Sequence, residues 1–296
     1  MSAALDGEIP WAPIKGMDLA YRVYDRPEER PTSDLDILIH TRDLAEARRR
    51  LLRAGWTPLQ DGPRVEAYLL DEGYAWQARN RDGALLELHH RLWGWVHPGL
   101  GTACLDAAVS DPSLPLGGRR LRAAHAYLVA AVHLWLDAPP RSLTAFRDLR
   151  CLALGDEDPA ALGREIVDEA RRFDLQLPVL AAARVVHELW SDAVAGAVGD
   201  GLEKDLHRPE RRALHRTSEL DAASLSSFVL ARHLSRRRAR HRLRRSLLRR
   251  FWVHPGVVEA GSPDTWPWWA RRLAYQVAAA GSRRLYPLFD RIFSGR

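Results

Sequence analysis

Residues 32 to 39 read Thr-Ser-Asp-Leu-Asp-Ile-Leu-Ile, and this octet constrains the fold more than any other stretch. An apolar, β-branched run with two carboxylates at alternate positions predicts a strand over Leu35 to His40. In a strand, residues two apart share a face and lie roughly 6–7 Å from each other. Asp34 and Asp36 therefore project together, while Leu35 and Ile37 turn to the core. Two readings of the pair stand: a seat for a hard cation, or the solvated edge of a sheet. Mg²⁺ suits the first, because it takes oxygen ligands and shares its shell with substrate phosphates.

A second such run occurs at Leu85-Leu86-Glu87-Leu88-His89. Its alternation sets Glu87 and His89 on one face and leucines on the other. Three acids on adjacent strands suit an in-line displacement between two metals, which stabilise the attacking and leaving oxygens. Upstream, Ile14-Lys15-Gly16 is either an ordinary turn or a phosphate contact. In the second case glycine lets the backbone approach, a helix start near Met17 aims N–H groups, and the lysine adds charge. Two of the 44 basic residues are lysines, Lys15 and Lys204. Arg30, just before Pro31, reaches toward a triphosphate or lies on the surface.

Around these motifs the first part of the chain alternates element types. Asp18 to Tyr24 reads as a short helix. Thr41 reads as an N-cap and Leu44 to Ala54 as a helix, with Gly55 at the C-cap position. Further strands are expected near Val65 to Leu70, Tyr74 to Ala78 and Leu85 to His90, with Asp82-Gly83 as a hairpin turn. After a connector at Pro112 to Gly118 the pattern becomes helical: Leu121 to Leu136, Leu143 to Leu154, Pro159 to Arg172 and Leu177 to Val198. A basic helix is expected from about 224 to 252, then a tryptophan-rich turn at Trp266, Trp268 and Trp269, and a last helix.

Taken in order, several pieces form a set: Pro13-Ile14-Lys15-Gly16, Leu19-Ala20, Tyr24, Arg30-Pro31, Asp34 to Ile39, Asp43-Leu44, Leu51, Gly55-Trp56 and Leu86 to His89. The set resembles the bacterial family of uncharacterised nucleotidyltransferases, a branch of the DNA polymerase beta-like superfamily. The resemblance covers residues 13–92 and extends more loosely to Ala131, His133 and Arg147-Asp148-Leu149. It implies an activity, and together with the element pattern it gives the expected fold: an α/β (α+β) nucleotidyltransferase core with a mixed sheet over residues 1–115, followed by an all-helical domain over 116–296, the latter read from the helical spacing alone. The activity is metal-dependent transfer of a nucleoside monophosphate (NMP) from a nucleoside triphosphate (NTP) to an acceptor, which is RNA, protein or a small molecule. By motif match Asp34, Asp36 and Glu87 are the catalytic carboxylates and ligands of Mg²⁺ or Mn²⁺. Lys15 and Gly16 lie at the phosphate-binding turn. From the residues themselves, Arg30 is a further candidate for nucleotide binding, and His89, beside Glu87, orients a carboxylate, contacts the nucleotide or packs on the strand face. The chain departs from the superfamily in carrying Lys-Gly-Met where Gly-Ser is usual, and in a short lead-in before that turn.

Charge and the remaining motifs bound the alternatives. Residues 1–120 carry 15 basic and 18 acidic side chains, yet the whole chain has a formal net charge of +6. The excess is local: Arg232 to Arg250 holds ten arginines, and no acid falls between Asp221 and Glu259. Such a stripe is a phosphate track for RNA or another polyanion, a membrane-surface helix, or the solvated face of an arginine-rich protein. It supports the rival expectation, an inactive nucleotidyltransferase fold that binds an anionic partner through this helix. His89, His90 and His97 lack a zinc spacing. His133 and Asp148 on successive helices form either a buried hydrogen bond or part of the site. Cys104 and Cys151 suggest no disulfide framework. With no signal peptide and no span long enough for a bilayer, the expected setting is reducing and cytoplasmic.

Overall fold

The computed structural model describes residues 1–5, 8–59, 74–93, 96–112, 114, 118–136, 143–155, 158–208, 210–211 and 214. The expected strand at Val65–Leu70, the arginine-rich helix, the tryptophan-rich turn and the last helix lie outside the described residues.

A five-stranded mixed sheet organises the first half. The strands are β1 (Trp11–Pro13), β2 (Asp34–Ile39), β3 (Thr57–Pro58), β4 (Ala75–Arg79) and β5 (Leu85–His89), in spatial order β1-β2-β5-β4-β3. β2 runs parallel to β5, and the other pairs are antiparallel. The β4–β5 hairpin turns at Asn80–Gly83, where Asn80 Oδ1 accepts from Ala84 N at 2.7 Å and Gly83 takes φ 88°, open to a residue without Cβ. Because β2 and β5 are parallel, their connection crosses over the sheet through α3 (Leu44–Arg53).

Period-2 alternation sends successive β2 residues to different cores. Ile37 and Ile39 join Leu44, Ala47, Leu51, Trp76, Leu86 and Leu88 in one buried cluster. Leu38 faces the other way, into a larger cluster that runs from Ala12 to Leu214. Both faces of the sheet are thus covered, and Asp34 and Asp36 lie on the face toward the larger cluster. That cluster is built by α2 (Lys15–Val23), α4 (Gly99–Asp106), α5 (Ala123–Leu136), α6 (Leu143–Leu154), α7 (Pro159–Arg172), α8 (Gln176–Trp190) and α9 (Ala193–Glu203). A short helix α1 (Ser2–Leu5) and a two-stranded ribbon, β6 (Val109–Ser110) with β7 (Arg119–Arg120), complete the described elements.

Two local expectations are corrected. Thr41 does not cap α3: it opens a 3-10 turn (Thr41–Asp43), and its hydroxyl donates to the His90 carbonyl at 2.9 Å. Leu177–Val198 is not one helix. Ser191 adopts a left-handed conformation (φ 52°) and ends α8, while the Asp192 carboxylate accepts from Ala195 N at 2.8 Å and starts α9. A side chain that satisfies an orphan N–H outcompetes continuation of the helix. Gly55 does close α3 with φ 87°. Among the described residues, no helix is long and apolar enough to cross a membrane.

Candidate active site

The parallel pairing of β2 with β5 sets the register on which the site rests. Asp36 lies opposite Glu87 and Leu38 opposite His89, so the polar faces of the two strands coincide. Asp36, Glu87 and His89 each bring a ligand atom to within 4.8 Å of the others, and this is the one such group of metal-ligating side chains among the described residues. His89 Nε2 lies 2.8 Å from Asp36 Oδ1 and 3.3 Å from Glu87 Oε2. With a carboxylate as acceptor, that ring nitrogen is the donor. His89 is itself fixed by Tyr74, whose ring stacks on it at 5.8 Å. On the next strand Gln77 stands opposite Glu87 and donates to its Oε1.

Lys15 enters this group from the side. Its ammonium lies 2.8 Å from Asp36 Oδ1, 3.7 Å from Glu87 Oε2 and 3.4 Å from His89 Nε2. The residue opens α2 in a left-handed conformation, φ 55°, which is uncommon for a residue with a side chain. Gly16 follows, and a Cβ there would stand 2.8 Å from Thr32 Oγ1 and 3.7 Å from an Arg30 nitrogen. The Lys-Gly turn is therefore packed against the segment that leads into β2.

The electrostatics separate the three acids. Burial raises the proton affinity of Asp36, but the His89 hydrogen bond and the Lys15 charge more than reverse this, and the carboxyl ends well below its ordinary range. The His89 hydrogen bond also lowers Glu87, against the effect of burial. Asp34 behaves oppositely: half-buried, and next to the charges of Asp36 and Glu87, its carboxyl is raised. It accepts from Ser33 Oγ at 3.4 Å, and its oxygens fall outside the tight group.

Arg30 takes a different place from the acids. Its Nε donates to Asp148 Oδ2 at 3.0 Å, a second guanidinium nitrogen lies 2.9 Å from the same oxygen, and Nη1 donates to the Pro31 carbonyl. Tyr24 donates its hydroxyl to Asp148 Oδ1 at 2.7 Å. Asp148 thus joins α6 to the segment before β2. The expected His133–Asp148 pairing is replaced by this one, and His133 instead lies beside Trp93, with ring centroids 6.0 Å apart. Nor do the three nearby histidines converge: His97 accepts from Gly99 N and meets Phe173 edge-on.

Sequence reasoning overlooked Gln77, Tyr74 and Trp93, whose ring centroid lies 5.7 Å from the Lys15 ammonium. The alternation Ala75-Gln77-Arg79 was a usable signal for Gln77. No comparable pattern marks the two aromatics, because their contacts cross between elements.

A protein-family model described as uncharacterised nucleotidyltransferase matches residues 3–191. No curated protein matches the chain in sequence.

Proposed function

The chain belongs to the uncharacterised nucleotidyltransferase family, and on that footing we propose that it transfers an NMP from an NTP to an acceptor, with Asp36, Glu87 and His89 as the seat of a divalent cation. The observation that carries this reading is the β2–β5 register, which brings the three side chains within 4.8 Å of one another. Two carboxylate oxygens and the His89 Nε2, once its proton has moved to Nδ1 or to solvent, fit Mn²⁺ directly and Mg²⁺ with water or phosphate oxygens filling its shell. When bound, such an ion neutralises phosphate charge and steadies the attacking and leaving oxygens.

The chain's own residues do the rest. Asp34, at the more exposed start of β2, is the third carboxylate of the set. Asp36 and Glu87 are kept ionised by His89 and Lys15, and Gln77 fixes the rotamer of Glu87. The start of α2 supports a phosphate site: its N-cap residue Ile14 makes no side-chain cap bond, and the positive end of the helix dipole lies there. Lys15, Gly16 and Arg30 form the phosphate side in this reading, with Arg30 held in place by Asp148.

The acceptor is open to RNA, protein or a small molecule. RNA is the first to test, on the strength of the ten arginines of 232–250.

The test is calorimetric titration of each NTP with Mg²⁺ into the full chain and into Asp36→Ala and Asp34→Ala variants. Metal-dependent binding to the wild type, lost in Asp36→Ala, supports the transferase site and names the donor base. Failure of every NTP to bind folded wild type would overturn the catalytic reading in favour of a binding protein.

A further inference from the structure

Lys15 contacts every member of the candidate cation seat. One ammonium reaches Asp36 at 2.8 Å, His89 at 3.4 Å and Glu87 at 3.7 Å, and the lysine side chain is only 9% exposed. Three features show that the contact is built. The backbone of Lys15 holds φ 55°, and Gly16 is wedged against Thr32, so the turn fixes where the side chain starts and aims it at this group, while the side-chain torsions remain free to carry the ammonium away. The ring of Trp93 lies 5.7 Å from the ammonium and lends it a second favourable surface. The two carboxylates, paired across β2 and β5, are mostly buried and need a nearby cation to stay ionised together.

A lysine held this way competes with a metal for the same oxygens. Mg²⁺ and Mn²⁺ bind carboxylates at about 2.1 Å, which an ammonium bonded to Asp36 Oδ1 obstructs both by size and by like charge. We propose that Lys15 is a resident counter-ion of the site, which holds Asp36, Glu87 and His89 together without metal and is expelled by an arriving divalent cation. The inference rests on the cation seat named above and adds an exchange to it. The ammonium keeps its proton and leaves the carboxylates as the cation arrives, while the Nε2 proton of His89 passes to Nδ1 or to solvent so that this nitrogen can take the cation. The freed charge is then available to the triphosphate, so nucleotide and cation bind with positive coupling. An ion brought in by an NTP supplies the anion that receives the lysine, whereas a bare ion does not.

Amine labelling reads the exchange directly, because the chain has two lysines and Lys204, exposed at the end of α9, serves as internal reference. Wild-type protein is acetylated with an amine-selective reagent, with and without Mn²⁺, and the two lysines are quantified by peptide mass spectrometry. Without metal, Lys15 reacts far more slowly than Lys204. Mn²⁺ raises the Lys15-to-Lys204 ratio several-fold. A ratio unchanged by Mn²⁺ at concentrations that calorimetry shows to saturate the protein overturns the exchange while leaving the cation seat intact. In a second experiment Lys15→Met, checked for folding by circular dichroism, binds Mn²⁺ about tenfold or more tightly than wild type in the absence of nucleotide. Equal or weaker affinity in the folded variant overturns the proposal. Should Lys15→Met not fold, the wild-type labelling decides. If Mn²⁺ alone binds neither protein, the exchange fails, and the NTP titration still decides the catalytic reading separately.

Discussion

A methyl group on Gly16 would stand 2.8 Å from Thr32 Oγ1 and 3.2 Å from Thr32 Cβ, closer than packed atoms tolerate. Gly16→Ala must therefore shift Thr32, and with it the Thr32 Oγ1–Asp34 carbonyl bond, or move α2. The expected cost is about 1–3 kcal/mol of stability by denaturant unfolding, together with weaker NTP binding. At Asp36 the effect is on chemistry instead. Asp36→Asn keeps the volume and an amide oxygen that can accept one bond, but removes the negative charge that faces His89 and Lys15. On the proposed transferase reading, NMP transfer is expected to fall by at least about 100-fold in a labelled-NTP assay, whereas Gln77→Ala, which removes one of the contacts that fix Glu87, is expected to lower cation affinity by about 10-fold. Thiol chemistry separates the two cysteines: Cys104 is fully buried and burial pushes its thiol up, while Cys151 is partly exposed. Maleimide labelling of native protein modifies Cys151 alone, and Cys104 reacts only after unfolding.

Among the elements, α6 carries one residue that ties it to the site's approach. Asp148 is buried and accepts from both Arg30 and Tyr24. Asp148→Ala leaves a guanidinium and a phenol without their acceptor, and breaking one side of a buried ion pair costs about 3 kcal/mol or more. Tyr24→Phe removes a single neutral donor and costs about 1 kcal/mol. If the two variants prove equally mild in thermal melts, the network is not holding α6 in place. The same scale explains the interrupted helix. Apolar spacing runs on from Leu177 to Val198, and period alone cannot see a break. The break is local chemistry: Ser191 in a left-handed turn and Asp192 capping Ala195 N. Ser-Asp within a helical pattern was its sequence signal.

For the molecule as a whole, stability depends on groups that the larger core holds neutral. Burial lowers the proton affinity of His125 below its ordinary 6.5; Glu169 and Glu165 oppose this and Arg122 adds to it. A depressed folded-state value means that its contribution is present above pH 6.5 and is lost as pH falls through the folded value. Thermal melts from pH 8 to pH 5 should show a steeper acid decline in wild type than in His125→Leu. Charge acts at this scale too. If the arginines of 232–250 track RNA phosphates, affinity for RNA falls by about a thousandfold between 50 and 200 mM salt; a shallow dependence would remove that partner.

Much of the candidate site is legible in the sequence alone. The alternation of Asp34-Leu35-Asp36 and of Leu86-Glu87-Leu88-His89 is a local, period-2 property, and pleating alone sends those carboxylates to one face of their strands. The boundaries of α6 and α7 likewise match the expected Leu143–Leu154 and Pro159–Arg172, since Pro159 starts one and apolar spacing sustains both. What local pattern could not decide was pairing. That Asp36 meets Glu87 depends on a crossover that lays β5 parallel to β2, in a register chosen by packing on both sheet faces. That Asp148 takes Arg30 and Tyr24 rather than His133, and that Lys15 turns into the carboxylates, depend on how α2 and α6 settle against the sheet. A residue's face follows from the backbone it sits in; its partner follows from where the rest of the chain comes to lie.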